Sequence, residues 1–183
     1  MHIIPETVKI LQQGGVIAYP TEAVYGLGCD PFNQAAVNRL LALKKRSWEK
    51  GLILIAASWE QIVDYVEPIP TPRMDAVLAT WPGPITWIFP ATTRVPEWIR
   101  GRHDSIAIRV TAHPLAQALC AAFGKPLVST SANLEGQPPA RFPEEVAKIF
   151  PDSLDLIVEG ALGDSLKPTE IREARTGKVL RAG

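Results

Sequence analysis

The sequence predicts an α/β fold built on a mixed β-sheet, and three observations support this prediction. Short apolar runs typical of strands alternate with helix-like segments along the whole chain. The 17 prolines are spread over the boundaries of these segments. No linker, repeat or low-complexity stretch divides the 183 residues, a length that suits one core. We therefore predict a single domain over residues 1–183.

Helices are predicted from their end signals and apolar spacing. Pro5 suits a first turn, and Asn33 suits the N-cap of a second helix that ends in cations. In that second helix one face carries Val37, Leu40, Leu41 and the stem of Lys44. Residues 58–66 are predicted to be helical, with Ser58 as the cap. The predicted helices are 5–15, 33–46, 58–66, 71–81, 113–124 and 143–150.

Strands are predicted wherever a short apolar run lies between turn residues. The segment 21–32, with its two glycines, is predicted to be a loop. The predicted strands are 16–20, 52–58, 84–91, 105–110, 126–130, 154–160, 169–174 and 178–183.

Composition limits the function. Lys+Arg (19) balance Asp+Glu (19), so no overall field attracts nucleic acid or an anionic membrane. The start of the chain lacks the pattern of a signal peptide, and the apolar run 52–57 is too short to cross a bilayer. Cys29 and Cys120 stand alone, which is typical of buried, reduced thiols. We expect a cytoplasmic protein without membrane contact.

Two segments in the first third of the chain could carry chemistry. Thr21 and Glu22 follow a predicted strand and precede a Tyr-Gly-Leu-Gly run, whose glycines permit close approach of a ligand. A simple turn explains that segment equally well. Four cations lie within residues 44–50, where they form either a solvated helix end or a phosphate clamp.

Two later segments add to this set. Strand alternation puts Arg109 on one face with small side chains, which suits either a cleft that binds a carboxylate or an edge strand protected by charge. Ser129, Thr130, Ser131 and Asn133 follow an apolar strand. They could bind phosphate, ribose or an amino acid, whereas an ordinary turn would need only one of them.

Several common catalytic motifs are missing from the sequence. It contains no GxxxxGK[ST], GxGxxG, HExxH or GxSxG pattern. His113 precedes Pro114 at a predicted helix start, so we interpret it as local structure rather than as part of a hydrolase triad.

Taken in order, "PTEAVYGLG", "LKKR…KGLIL", "SIAIRV" and "LVSTSANLEGQPP" resemble the YrdC/TsaC family of L-threonylcarbamoyladenylate synthases, over residues 14–183. The resemblance implies a single α/β domain with a twisted mixed sheet, flanking helices and a large concave cleft. The implied reaction condenses L-threonine, bicarbonate and ATP to threonylcarbamoyl-AMP and pyrophosphate. Partner proteins would then transfer the threonylcarbamoyl group to the adenosine beside the anticodon of tRNA.

The resemblance also implies residue roles. The residues implied for catalysis are Lys44, Arg46 and Ser131. Those implied for ATP are Lys44, Arg46, Lys50, Ser129, Ser131, Asn133 and Arg181. Those implied for threonine are Thr21, Arg109 and Thr169, with Arg109 on the carboxylate. No protein metal site and no tightly bound cofactor are implied, and Mg²⁺ would enter with ATP.

Some features depart from the family pattern, and other functions stay open. Longer relatives carry an asparagine where Lys50 stands and a histidine where this chain has Ile55, and they have an added C-terminal domain, so the chain resembles the short form. The alternatives are a module that binds tRNA or double-stranded RNA, a carbamoyl-adenylate enzyme with another acceptor, and an inactive paralogue. The zero net charge weighs against the RNA module, although weak RNA binding remains possible. The Lys44-x-Arg46 pair with Ser-x-Ala-Asn weighs against the inactive paralogue.

Overall fold

The structure is a computed structural model that describes residues 3–165 and 167–183. In these two ranges nine strands form one sheet in which parallel and antiparallel pairs are mixed. The strands are β1 (Ile17–Pro20), β2 (Tyr25–Gly28), β3 (Ile53–Ala56), β4 (Ile85–Pro90), β5 (Ser105–Val110), β6 (Leu127–Ser131), β7 (Leu156–Ile157), β8 (Glu170–Glu173) and β9 (Val179–Arg181). Their order across the sheet is β7-β1-β2-β6-β3-β5-β4-β8-β9.

Helices flank this sheet, which confirms the predicted fold class. The α-helices are α1 (Ile3–Gln12), α2 (Gln34–Lys44), α3 (Thr71–Leu78), α4 (Glu97–Arg100), α5 (Pro114–Phe123) and α6 (Pro143–Ile149). Asn33 caps α2 as predicted, because its side chain accepts a hydrogen bond from the Ala36 amide. Gly124 ends α5 in the left-handed conformation, with φ of 79°.

Two of the local predictions are wrong. Residues 58–66 form two short 3₁₀ helices, Trp59–Gln61 and Val63–Tyr65, and Ser58 makes no side-chain capping bond. The segment 21–32 contains β2, which pairs antiparallel with both β1 and β6. Gly26 and Gly28, which the sequence predicts to be loop residues, lie inside this strand. The short helix α4 was not predicted.

Gly28 shows why β2 needs glycine. A Cβ atom at Gly28 would lie 2.6 Å from the Val128 carbonyl oxygen and 2.7 Å from Cε1 of Tyr19. We expect Gly28→Ala to lower the free energy of unfolding by about 1–3 kcal/mol, measured by urea denaturation. Gly26→Ala is the matched control, because its nearest new contact is a Thr21 methyl group at 3.3 Å. Equal urea midpoints for the two variants would contradict this account.

Two apolar cores cover the two faces of the sheet. On one face α2 packs Val37, Leu40 and Leu41 into the larger core, as its spacing predicts. On the other face α1 and α5 form a smaller core with Ile55 and Leu127.

The cleft lies on the face of the smaller core, beyond the part that α1 and α5 cover. Ile53 and Ser129 share this face with Ile55 and Leu127, because they lie two residues away along β3 and β6. A row of paired residues, Ser129–Ile53–Ala107–Ile88, crosses β6, β3, β5 and β4. These residues line the cavities described below and form the cleft floor.

Candidate active site

The cleft contains two adjoining cavities of about 350 Å³ and about 250 Å³. We call them the first and the second cavity. Their shared wall consists of Arg46, Leu52, Ile53 and Arg181. Two guanidinium groups therefore lie at the junction, where a ligand that occupied both cavities would pass.

Arg109 lines the first cavity from the central strand β5, which lies between β3 and β4. This position rules out the edge-strand alternative. The residue is only 5% exposed. Its Nη1 donates to the Thr169 hydroxyl at 3.0 Å and to the Thr86 hydroxyl at 3.4 Å, and its Nη2 lies 3.2 Å from Oε2 of Glu22. A buried cation is thus held in one orientation by two hydroxyls and one carboxylate.

The three residues predicted to bind threonine meet at this cavity. Thr21, Arg109 and Thr169 all line it, although they come from the loop after β1, from β5 and from the segment before β8. The Thr21 hydroxyl donates to the Val24 carbonyl at 2.7 Å, which orients the side chain. The structure brings these residues together, and their roles stay predictions.

The segment after β6 forms a second wall. Ser129 and Ser131 line the first cavity, and so does Thr130. Asn133 lies differently, because its amide is used within the loop. Its Nδ2 donates to the carbonyls of Leu134 and Gln137 at 2.9 and 2.8 Å, and its Oδ1 accepts from the Ser131 hydroxyl at 2.5 Å. In the described structure Asn133 therefore shapes the wall that Ser131 presents.

The side chain of Lys44 also forms its hydrogen bonds with this loop. Its Nζ donates to the Ser131 carbonyl, to the Asn133 carbonyl at 2.8 Å and to Oδ1 of Asn133 at 3.2 Å. Burial, together with the nearby positive charge of Arg46, lowers the pKa of Lys44 to about 8. The ammonium ion thus anchors the serine-rich wall from behind.

The other cations of residues 44–50 point in different directions. Arg46 lines both cavities and donates from Nη2 to the Gly51 carbonyl at 3.1 Å, while its buried Nε has no partner among the described residues. Lys50 lines the second cavity and forms an ion pair with Glu135. Lys45 is exposed and adopts the left-handed conformation with φ of 53° as the α2 C-cap.

The second cavity combines an aliphatic surface with a cationic rim. Its aliphatic side chains include Ile88, Ile99 and Ile171. Basic side chains surround them, namely Arg46, Lys50, Arg100, His103 and Arg181. Burial lowers the pKa of Arg181, and Arg109 adds to this effect. An aliphatic floor beside several cations suits a ligand with a flat apolar part and an anionic part.

Sequence reasoning missed four residues of this region. Glu22 was noted in its segment but received no role, and Thr86 could have been found by alternation along β4. Arg100 and His103 gave no signal, because only the tertiary fold brings the end of α4 and the turn before β5 to the second cavity. The local role predicted for His113 is confirmed, since it caps α5 and bonds to the Ala161 carbonyl at 3.0 Å.

Three further observations bear on the predicted class of protein. Both cysteines are buried and free, as predicted. Within residues 3–165 and 167–183, no group of three His, Cys, Asp or Glu side chains could hold a metal ion. The described helices also include none that is long and apolar enough to cross a membrane.

The fold and the cleft define a class of protein: an α/β protein whose mixed sheet carries a cationic, hydroxyl-rich cleft for anionic small molecules. The family model Sua5/YciO/YrdC, described as "Telomere recombination", matches residues 9–183. The chain belongs to this family, which confirms the resemblance found in the sequence.

The relatives support the same grouping. The chain is 57% identical to a protein of Coxiella burnetii (strain RSA 493 / Nine Mile phase I) named threonylcarbamoyl-AMP synthase, over 97% of this chain and 96% of that one. A protein of Vibrio campbellii with the same name is 54% identical over 97% of each chain. The structure of P. abyssi Sua5 complexed with L-threonine superposes with a TM-score of 0.87 and 30% identity. That match covers 93% of this chain but only 50% of the P. abyssi chain.

Proposed function

We propose that the chain condenses L-threonine, bicarbonate and ATP to L-threonylcarbamoyladenylate and pyrophosphate. The observation that carries this proposal is the pair of adjoining cavities, one lined by the buried Arg109 and both bordered by Arg46 and Arg181. The names of relatives at 54–57% identity support the same reaction. The enzyme class is therefore a nucleotidyltransferase, and the product serves the threonylcarbamoyladenosine modification of tRNA.

L-Threonine occupies the end of the first cavity in this proposal. Its carboxylate binds Arg109, because a guanidinium offers parallel donors that match a carboxylate. Thr21 and Thr169 lie beside Arg109 and supply hydroxyls for the rest of the amino acid. The relative solved with L-threonine supports an amino-acid substrate for this fold.

ATP extends from the junction into the second cavity. The phosphates lie against Arg46 and Arg181 and face the hydroxyls of Ser129 and Ser131. The base lies on the aliphatic floor of the second cavity, where apolar contact replaces water. Lys50 completes the rim once it exchanges Glu135 for a phosphate oxygen. Mg²⁺ arrives bound to ATP and is held mainly by phosphates and water.

The chemistry then follows from position and charge. The threonine amine reacts with bicarbonate to form a carbamate and water. A carbamate oxygen attacks the α-phosphorus in line, and pyrophosphate leaves. Little covalent work falls to the protein, so holding the reactants in place and stabilising the phosphate charge supply most of the rate. The neutral hydroxyl wall suits this role, because it binds the mixed anhydride without adding charge.

Pyrophosphate release tests the function directly. We expect release from ATP only when threonine and bicarbonate are both present, and we expect no requirement for tRNA, because the attack on ATP involves only small molecules. Assays that omit one substrate at a time check the first point, and addition of tRNA checks the second. An absolute need for tRNA would contradict the proposal and favour the RNA-binding alternative. Partner proteins that accept the adenylate belong to the same proposal.

The affinity for ATP should depend on pH. The folded-state pKa of Lys44 is lowered to about 8, so its ammonium loses a proton as the pH rises through that value. The neutral amine cannot donate to all three of its loop acceptors, and the cation cluster also loses one charge. From pH 7 to pH 9, we expect the Kd of a non-hydrolysable ATP analogue to rise by up to about tenfold. A Kd that stays constant from pH 7 to pH 9 would show that Lys44 does not support the nucleotide site.

A further inference from the structure

We infer that Glu22 is a positioning residue that holds the Arg109 guanidinium in the orientation that receives the carboxylate of L-threonine. This inference rests on the proposed function, because it concerns the threonine end of the first cavity. Glu22 lies behind Arg109 and is not among the described residues that line the two cavities. It therefore acts through Arg109 and not by touching the substrate.

A chain of contacts fixes the carboxylate of Glu22. The Thr111 hydroxyl donates to its Oε1 at 2.7 Å, and its Oε2 lies 3.2 Å from Nη2 of Arg109. The backbone is held as well, since the Glu22 carbonyl accepts from the Ser165 amide at 3.1 Å. Thr111 follows directly after β5, two residues beyond Arg109. One hydroxyl thus orients the carboxylate that orients the guanidinium.

The ion pair between Arg109 and Glu22 is buried, which increases the cost of losing either charge. The side chains of Arg109 and Glu22 are only 5% and 9% exposed. A buried cation needs a counter-charge, and in the described structure Glu22 is the carboxylate that forms an ion pair with Arg109. Nη1 of Arg109 donates to the two threonine hydroxyls, whereas Nη2 lies at ion-pair distance from Oε2 of Glu22, an oxygen that accepts no hydrogen bond in the described ranges. Nε of Arg109 also has no hydrogen-bond partner there. A guanidinium carries five N–H donors, so the protein restrains it and still leaves donors for a substrate carboxylate.

Glu22→Gln removes the charge while keeping the size of the side chain and an oxygen for Thr111. We expect the KM for L-threonine to rise about tenfold, with the KM for ATP within about twofold and kcat within about threefold of wild type. Thr111→Val removes the hydroxyl that donates to Glu22 and that also accepts from the His113 amide at 3.1 Å. It should raise the threonine KM in the same direction but less. Thr111→Ser, which keeps the hydroxyl, should have the threonine KM of wild type. A purely structural role would not separate the two substrates in this way.

A double-mutant cycle tests whether Glu22 acts through Arg109. The threonine KM of the Glu22→Gln/Arg109→Met variant should be no higher than that of Arg109→Met alone, because the group being positioned is already gone. If Glu22→Gln raised the threonine KM of the Arg109→Met variant by the same factor as it raises that of wild type, the inference would be overturned.

Urea unfolding without any substrate separates this inference from the proposed function. Glu22→Gln should lower the unfolding midpoint by leaving a buried cation unpaired, and adding Arg109→Met to it should raise the midpoint again. If wild type releases no pyrophosphate with threonine and bicarbonate, the proposed function fails, whatever the unfolding data show. If wild type is active but Glu22→Gln leaves the threonine KM unchanged, only the role of Glu22 is overturned.

Discussion

Arg109→Met is expected to raise the KM for L-threonine by about 10- to 100-fold. A charge-assisted hydrogen bond contributes about 1.5–3 kcal/mol, and a tenfold change in affinity corresponds to about 1.4 kcal/mol. The ATP site is built from other side chains, so the KM for ATP should stay within about twofold. Steady-state pyrophosphate release with each substrate varied in turn measures both constants.

The same substitution should also weaken folding. It leaves Glu22 buried without its cation, and breaking one side of a buried pair typically destabilises a protein by about 3–5 kcal/mol. Both KM values are therefore to be measured on protein shown to be folded by circular dichroism. Arg102→Met is the matched control, because Arg102 is exposed and pairs with Glu49 at 2.5 Å on the surface. A higher ATP KM with an unchanged threonine KM would mean that Arg109 serves the nucleotide.

Arg46→Lys is expected to reduce kcat/KM for ATP at least tenfold. Arg46 lines both cavities, so it lies where the phosphates are proposed to bind. Lysine keeps the charge but offers one ammonium where two parallel donors are needed. Loss of one preorganised donor to transition-state charge typically lowers the rate by about 10²- to 10³-fold. The melting temperature should change little, because the Gly51 carbonyl is the only described acceptor that loses its bond to Arg46.

Lys45 provides the control for Arg46. It is exposed and has a φ of 53°, so alanine there would strain the backbone, whereas asparagine tolerates this conformation. Lys45→Asn should change kcat/KM for ATP by less than about twofold, as surface substitutions usually do. An equal loss of kcat/KM for ATP in Lys45→Asn and Arg46→Lys would show that the cations act only through their summed charge. The proposal that Arg46 clamps the phosphates would then be wrong.

The sequence by itself determined the fold class, most elements and the family. Alternating strand and helix patterns, the Asn33 cap and the apolar face of α2 are local signals, since each depends on residues close together in the chain. The motifs that carry the resemblance are local in the same sense. Thr21, Arg109 and Ser131 could be selected because polar groups at strand ends stand out against apolar runs. Arg46 could be selected because it belongs to a run of cations at a helix end.

Only the tertiary structure decided how these residues are used. The sequence predicts a loop at Gly28, because the Val128 carbonyl and the Tyr19 ring that require a glycine there belong to other strands. The resemblance implies a phosphate role for Lys44, and this role stays a prediction. The structure adds that its ammonium donates to the carbonyls of Ser131 and Asn133, contacts that no spacing along the chain reveals. The contacts of Glu22 with Arg109 and Thr111 are likewise made only in the folded chain. A side chain's charge can be seen in the sequence, whereas its partner is set by which strands the sheet places side by side.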